Sequence, residues 1–152
     1  MQWDGTHIAI SMIMLSLLCT IFFIPAMPGV GYEVRGNGEM FPLNGPCWSL
    51  FFEYIGNILY ALFIRRLSNK ALTVFVVLLG VALAAFAVFN VSTYGNIGVG
   101  WTLDGVNFLG GSLRMLFPFS LGMLMSRNFK PMKVKGAFWI GGIALIALFF
   151  VP

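Results

Sequence analysis

The sequence predicts an all-α fold, a polytopic bundle of about five transmembrane helices that forms a single membrane domain over residues 1–152. Hydrophobic residues make up 59% of the chain and charged residues only 9%. So few charges cannot cover the core of a water-soluble domain of this length. The apolar stretches are also as long as a helix needs to cross roughly 30 Å of hydrocarbon, and none shows the alternating pattern of a membrane β-strand.

Hydropathy places the predicted spans near residues 8–27, 47–64, 71–89, 106–125 and 137–152. The first span is more typical of a retained helix than of a signal peptide, because the residues before it include Asp4 and no Lys or Arg. The last span is still apolar at Pro152. We therefore expect both ends to be cut and the chain to be a fragment of a larger bundle.

The positive charges predict the orientation in the membrane. Seven of the nine Lys and Arg residues lie in the turns after the second and fourth spans: Arg65, Arg66, Lys70, Arg127, Lys130, Lys133 and Lys135. Since cytoplasmic loops carry an excess of Lys and Arg, both turns and the N-terminus are expected in the cytoplasm. The net charge of +4 forms no basic stripe, so no nucleic-acid partner is predicted. No metal-binding motif is present in the sequence, and no metal site is expected.

A polar face runs along the second span. Ser49, Glu53, Asn57 and Tyr60 recur at spacings of four, four and three, which places them on one side of a helix. A charged group at the bilayer centre costs at least ~2.5 kcal/mol on insertion scales, so it usually faces the bundle interior or a water-filled cavity. Glu53 is therefore expected to face inward, with Arg114 as its counter-ion. The alternatives are that the face only joins helices and that Arg114 extends to the headgroups.

Two segments resemble a known family. The stretch NGPCWSLFFE at residues 44–53 resembles the N-x-P-x-W-S-L-x-x-E signature of the membrane-bound acyltransferase family 3, the bacterial sugar O-acyltransferases. The stretch RMLFPFSLG at residues 114–122 is similar to a later segment of the same family, in which an Arg is followed by Phe and Gly in a helix that ends in a basic loop. Both segments occur in the family order.

The resemblance implies a bundle of roughly ten helices in the bacterial inner membrane, of which this chain matches the middle. Such enzymes move an acyl group, commonly acetyl, from acyl-coenzyme A to a hydroxyl of a cell-envelope carbohydrate or related acceptor. The acyl-coenzyme A is a substrate, and no bound cofactor is expected. The resemblance assigns Trp48, Ser49 and Glu53 to the acceptor side, with Glu53 as the catalytic candidate. Asn57, Tyr60 and Arg114 complete the expected substrate-binding set.

The chain departs from the family in three respects. The family's catalytic His and Arg pair are not found, and His7 does not match the motif. Because acyl transfer to a hydroxyl needs a general base, this fragment alone is expected to be inactive. Tyr54 stands where the commoner pattern has a second acidic residue.

Two further interpretations remain. In the alternative function, a transporter or flippase, Glu53 and Arg114 line the path and Pro118 marks a broken helix. Trp101 and Asp104, in the loop before the fourth span, are further candidates for contact with an acceptor.

Overall fold

Helices make up the regular structure of the part of the chain that the structure describes. The computed structural model describes residues 7–26, 34–35, 38–93, 97–130 and 135–150. Within these ranges there are five α-helices: α1 (Ile10–Ile21), α2 (Cys47–Leu62), α3 (Asn69–Val88), α4 (Gly105–Asn128) and α5 (Ala137–Phe149). A 3-10 turn, Ile64–Arg66, follows α2, and no strand occurs in the described part of the chain. The predicted all-α class is confirmed.

Two helices, α3 and α4, are long and apolar enough to cross a membrane. They contain 20 and 24 residues, and a helix of 20 residues is about 30 Å long. Only 17% and 22% of their apolar windows are buried, whereas the core helix of a soluble protein would be mostly buried. With 12, 16 and 13 residues, α1, α2 and α5 are shorter than the predicted spans. Five complete spans are therefore not confirmed.

The predicted ends of the first and last spans differ from the observed helices. Helix α1 ends at Ile21, and positive φ at Phe23 marks the turn that follows it. Helix α5 ends at Phe149. Residue 27 and residues 151–152 lie outside the described residues, so the structure does not test the outermost part of either span.

Helices α3 and α4 pack antiparallel. Near one end, the ring of Phe86 lies against Gly110. At the other end, the Nδ2 atom of Asn69 donates a hydrogen bond to Oδ1 of Asn128 at 3.3 Å. Since the residue number falls along α3 as it rises along α4, the two helices run in opposite directions.

Helices α2 and α4 pack parallel. Their contacts advance by one helical turn on each side, from Phe52 against Gly111 through Gly56 against Met115 to Tyr60 against Phe119. The spacing of four residues on both helices is the spacing of one face of an α-helix. Both α2 and α3 thus pack against α4, and the polar face of α2 starts beside this contact.

One end of the bundle, which we call the loop end, is covered by two loop segments, residues 38–46 and 97–104. An isolated antiparallel bridge joins Glu39 to Thr102, and the backbone N–H of Met40 donates to the carbonyl of Trp101 at 2.7 Å. Met40 and Phe41 are each only 1% exposed, and their side chains pack with the start of α2. The two loops are therefore hydrogen-bonded to each other and cover the first turns of α2 and α4.

The opposite end, which we call the basic end, brings the two basic turns together. Arg127, at the end of α4, donates from Nη1 to the carbonyl of Leu67 at 2.7 Å and from Nη2 to the carbonyl of Arg65 at 3.2 Å. Arg66 and Lys70 belong to the same turn. The two segments that the sequence assigns to one side of the membrane thus lie at one end of the bundle, although Lys133 is outside the described residues.

Candidate functional site

Two adjacent cavities lie in the half of the bundle nearer the loop end. The loop cavity, about 540 Å³, lies between the two loop segments and is lined by Glu39, Trp101, Trp48, Ser49 and Arg114, among others. The helix cavity, about 390 Å³, lies between α2 and α4 and is lined by Glu53, Asn57, Pro118, Phe119 and again Trp48, Ser49 and Arg114, among others. Trp48, Ser49 and Arg114 therefore form a wall that the two cavities share.

The start of α2 positions Trp48 and Ser49. Pro46 is the N-cap residue, where its missing N–H costs nothing because the first N–H groups of a helix have no partner within the helix. The Ser49 hydroxyl donates to the Pro46 carbonyl at 3.0 Å. One turn beyond Glu53, the Asn57 Nδ2 atom donates to the Glu53 carbonyl at 2.9 Å. Both bonds lie within α2, so neither joins it to another helix.

Glu53 lies on the wall of the helix cavity, as the spacing along α2 predicts. Its side chain is exposed, and its carboxylate has no hydrogen-bond or ion-pair partner among the residues that the structure describes. Both carboxylate oxygens are therefore available to a molecule in the cavity. A hydroxyl group that entered it could donate to either oxygen.

Arg114 lies on the same cavity but does not form the expected ion pair with Glu53. Its Nη1 atom donates to the carbonyl of Val99 at 2.7 Å, and its Cζ atom lies 5.1 Å from the centre of the Trp48 ring. In the described ranges, the ion pair within 4 Å is that of Arg35 with Glu39. The expected pairing was wrong because the loop before α4 folds back and supplies a closer acceptor.

Glycines allow the loop to reach Arg114. Gly100 has a φ of +115°, which side chains disfavour, and its N–H donates to Oδ1 of Asn107 at 2.9 Å. A Cβ atom at Gly111 would lie 2.5 Å from the Phe52 ring and 3.0 Å from the Cα of Gly100. The close approach brings the carbonyl of Val99, a fully buried residue, to the guanidinium group.

Tyr60 and Pro118 differ from their predicted roles. Tyr60 lies deeper along α2, where its ring meets Phe119 edge-on at 6.2 Å, and it is not among the residues that line either cavity. Pro118 lines the helix cavity, but α4 continues through it as one helix from Gly105 to Asn128. Tyr60 thus borders the site, and the broken helix expected of a transporter is not formed at Pro118.

Asp104 is the N-cap residue of α4 and is engaged in local hydrogen bonds. It accepts from the backbone N–H groups of Val106 and Asn107, from the side-chain amide of Asn107 and from the Thr102 hydroxyl. Partial burial raises the pKa of Asp104, but these hydrogen bonds lower it more, so the pKa lies below its ordinary value of 3.8. Asp104 therefore caps the helix, and Trp101 is the member of the predicted pair that lines a cavity.

Sequence reasoning missed Glu39. Its carboxylate lines the loop cavity, where Oε2 lies 3.3 Å from Nη1 of Arg35. No spacing rule connects residue 39 with residues 48, 101 and 114, because only the bridge between the two loops brings them together. An acidic residue a few positions before the 44–53 motif was the available signal.

The cavities contain the groups needed to hold a hydroxylated molecule, namely a free carboxylate, a guanidinium group and aromatic rings. In the described part of the chain, no three His, Cys, Asp or Glu side chains come together to hold a metal ion. Comparison of the chain with protein-family models, with curated proteins and with solved structures found no match.

Proposed function

We propose that the chain forms the acceptor-side part of an integral membrane acyltransferase. It would move an acyl group, typified by acetyl, from acyl-coenzyme A to a hydroxyl of a cell-envelope carbohydrate. The observation that carries the proposal is that the two resembling segments, residues 44–53 and 114–122, are distant in sequence yet line one cavity. Glu53 and Arg114 belong to this cavity, and both are positions of the resembling motifs.

The proposed chemistry assigns Glu53 an orienting role. The acceptor hydroxyl donates a hydrogen bond to the Glu53 carboxylate, which turns the oxygen lone pair towards the thioester carbonyl. The new carbon–oxygen bond forms as the carbon–sulfur bond breaks, and the hydroxyl proton leaves through a general base to end on the coenzyme A thiol. The motif family uses a His as that base, in a helix that this chain does not match. Arg114, which lies over Trp48, donates hydrogen bonds to acceptor oxygens from the α4 side of the helix cavity.

The proposed setting is the inner membrane of a bacterium, with the chain spanning it several times. Helices α3 and α4 are long enough to cross it, and α2 is extended by the 3-10 turn Ile64–Arg66. The gathering of both basic turns at one end supports a cytoplasmic basic end, because Lys and Arg accumulate on that side. The loop end and both cavities would then lie on the outer side, where an envelope carbohydrate is found.

Replacing Glu53 tests the proposal. In the gene product of natural length, Glu53→Gln keeps the shape of the side chain but removes its charge. We expect unchanged expression and monodispersity in detergent, with transfer from radiolabelled acetyl-coenzyme A to envelope carbohydrate lowered by about 10²-fold, as for a group that orients a reactant. Tyr54→Phe is the matched control, since Tyr54 is exposed on the same helix and lines neither cavity. Full transfer by Glu53→Gln would remove the carboxylate from the reaction.

A transporter or flippase is the second candidate. It is favoured by Trp48, Ser49 and Arg114, which line both cavities and so place the loop cavity next to the helix cavity that contains Glu53. The continuous α4 counts against it. Movement of a labelled envelope glycan across proteoliposomes without acyl-coenzyme A would favour the transporter, and dependence on acyl-coenzyme A with ester formation would favour the enzyme.

A further inference from the structure

The loop cavity has a different chemistry from the helix cavity that contains Glu53. Its walls include two indole rings, Trp48 and Trp101, together with the carboxylate of Glu39 and the guanidinium group of Arg114. Trp101 is 46% exposed although it is among the largest apolar side chains of the chain. Indole faces cover the apolar faces of ligands, while a few polar groups at the rim fix their orientation.

The loop cavity is preformed, because hydrogen bonds hold its walls in place. The backbone of Glu39 is paired with Thr102, and the neighbouring Met40 N–H donates to the Trp101 carbonyl at 2.7 Å. The Glu39 side chain is only 12% exposed, and Oε2 is held at 3.3 Å by Arg35. Glu39 and Trp101 are thus fixed relative to each other by backbone hydrogen bonds, which lowers the entropy cost of binding.

The Trp48 ring is fixed as well. The Arg114 guanidinium group lies over it at 5.1 Å, the Phe52 ring meets it edge-on at 6.3 Å, and its edge lies against the backbone at Gly100. Arg114 in turn is held by the Val99 carbonyl. One wall of the loop cavity is therefore a rigid indole whose position depends on Arg114.

We propose that the loop cavity is a carbohydrate-binding subsite, in which Trp101 stacks on a pyranose ring and Glu39 accepts hydrogen bonds from its hydroxyls. A sugar ring has an apolar C–H face and a rim of hydroxyl donors, which matches indole planes next to a carboxylate. The volume of about 540 Å³ lies in the range of small-molecule sites and admits a disaccharide. The inference rests on the proposed function only for what happens to the bound sugar. In that case, a hydroxyl of the sugar unit beside Trp48 would reach Glu53 in the helix cavity and be acylated there.

Binding without an acyl donor tests the inference separately from transfer. The gene product of natural length, in nanodiscs and without acyl-coenzyme A, is titrated with maltose, lactose and N,N′-diacetylchitobiose, and binding is followed by saturation-transfer NMR. We expect at least one of the three sugars to bind more tightly than about 10 mM. Trp101→Ala should weaken that binding by about tenfold, and Glu39→Gln should weaken it several-fold.

Trp139→Ala is the matched control, because Trp139 is the 71% exposed tryptophan of α5 and lines neither cavity. It should leave sugar binding unchanged. Thermal unfolding of each variant shows whether it is folded, and Trp101→Phe, which keeps an aromatic plane, should restore most of the binding lost by Trp101→Ala.

Three results obtained without acyl-coenzyme A would overturn the inference: binding of none of the three sugars, equal binding by wild type and Trp101→Ala, or quenching of Trp101 fluorescence by brominated lipid chains as strongly as that of Trp139. The last result would identify Trp101 as an ordinary interfacial anchor. Sugar binding without any transfer would contradict the proposed function alone. Transfer that does not depend on Trp101 or Glu39 would contradict the subsite alone.

Discussion

Arg114 illustrates what determines the partner of a charged residue. Its position in the sequence suggests Glu53, since both lie in the loop-end halves of helices that pack together. The structure instead gives it the Val99 carbonyl at 2.7 Å and the face of Trp48. A carbonyl accepts a hydrogen bond from the guanidinium group and an indole face attracts its charge, so Arg114 does not need a carboxylate partner.

The absence of a direct ion pair makes a prediction for a double-mutant cycle. Breaking a buried pair by removing one partner costs ~3 to 5 kcal/mol, much of which is recovered when the second partner is also removed. With Arg114 bound to Val99, we expect Glu53→Leu and Arg114→Met to change the free energy of unfolding nearly additively, with a coupling below ~1 kcal/mol. Reversible unfolding in mixed micelles measures the cycle. A coupling of several kcal/mol would mean that the two side chains do pair.

Asp104 provides a pH-dependent prediction. Asp104→Ala removes the N-cap of α4 and should cost about 0.5–2 kcal/mol, whereas Asp104→Asn keeps the cap. Because the folded-state pKa is lowered below 3.8, the contribution of the charged Asp104 is fully present above pH 3.8 and is lost as the pH falls through the folded-state pKa. The difference in unfolding free energy between wild type and Asp104→Asn should therefore shrink in acid below pH 3.8. A difference that grows on acidification would contradict this assignment.

At the scale of elements, α4 organises the bundle because glycines let its neighbours approach. Gly111 accommodates the Phe52 ring and the Gly100 backbone, and Gly110 accommodates the ring of Phe86. Small residues at helix contacts are the usual means of close packing in membranes. The loop that carries the Val99 carbonyl depends on the same contacts.

A matched pair of substitutions tests this role of α4. Gly111→Ala should destabilise the fold by about 1–3 kcal/mol, because the new methyl group would meet a buried ring and a backbone atom that cannot easily move. Gly122→Ala lies in the same helix, and its new Cβ would meet no side chain or neighbouring segment within 4 Å, so it should be neutral or stabilise by up to ~1 kcal/mol. Thermal unfolding in detergent compares the two. Equal effects would show that helix propensity, not packing, decides the stability of α4.

At the scale of the whole molecule, the basic end and the loop end differ in charge. Four cations gather at the basic end, namely Arg65, Arg66, Lys70 and Arg127, while both cavities lie nearer the loop end. Much apolar surface is also exposed on α5, where Phe138 and Phe149 are each more than four-fifths exposed. Such a surface requires an apolar solvent or a covering partner.

Cysteine labelling tests the orientation. In a variant with Cys19 and Cys47 replaced by Ala, Ser68→Cys marks the basic end and Leu43→Cys marks the loop end; both positions are exposed. We expect a membrane-impermeant maleimide to label Leu43→Cys in intact cells and Ser68→Cys only after the membrane is opened, because the positive charges favour the cytoplasm. The reverse pattern would place both cavities on the cytoplasmic side.

The sequence by itself determined the features that depend on local pattern. The length of the apolar runs decided the all-α class, hydropathy located α3 and α4 to within a few residues, and a spacing of four placed Glu53 and Asn57 on one face of α2. These features follow from the periodicity of a single helix and from the solvent that its side chains require.

Only the tertiary structure decided the features that join distant segments. It brought Glu39 and Trp101 together in one cavity, gave Arg114 the Val99 carbonyl and turned Tyr60 towards Phe119. Each depends on the bridge between the two loops or on the packing of α2 against α4. A local sequence pattern encodes neither the bridge nor the packing. Which segments meet depends on the shape of the packed helices and on the positions where a glycine leaves room for a backbone to approach.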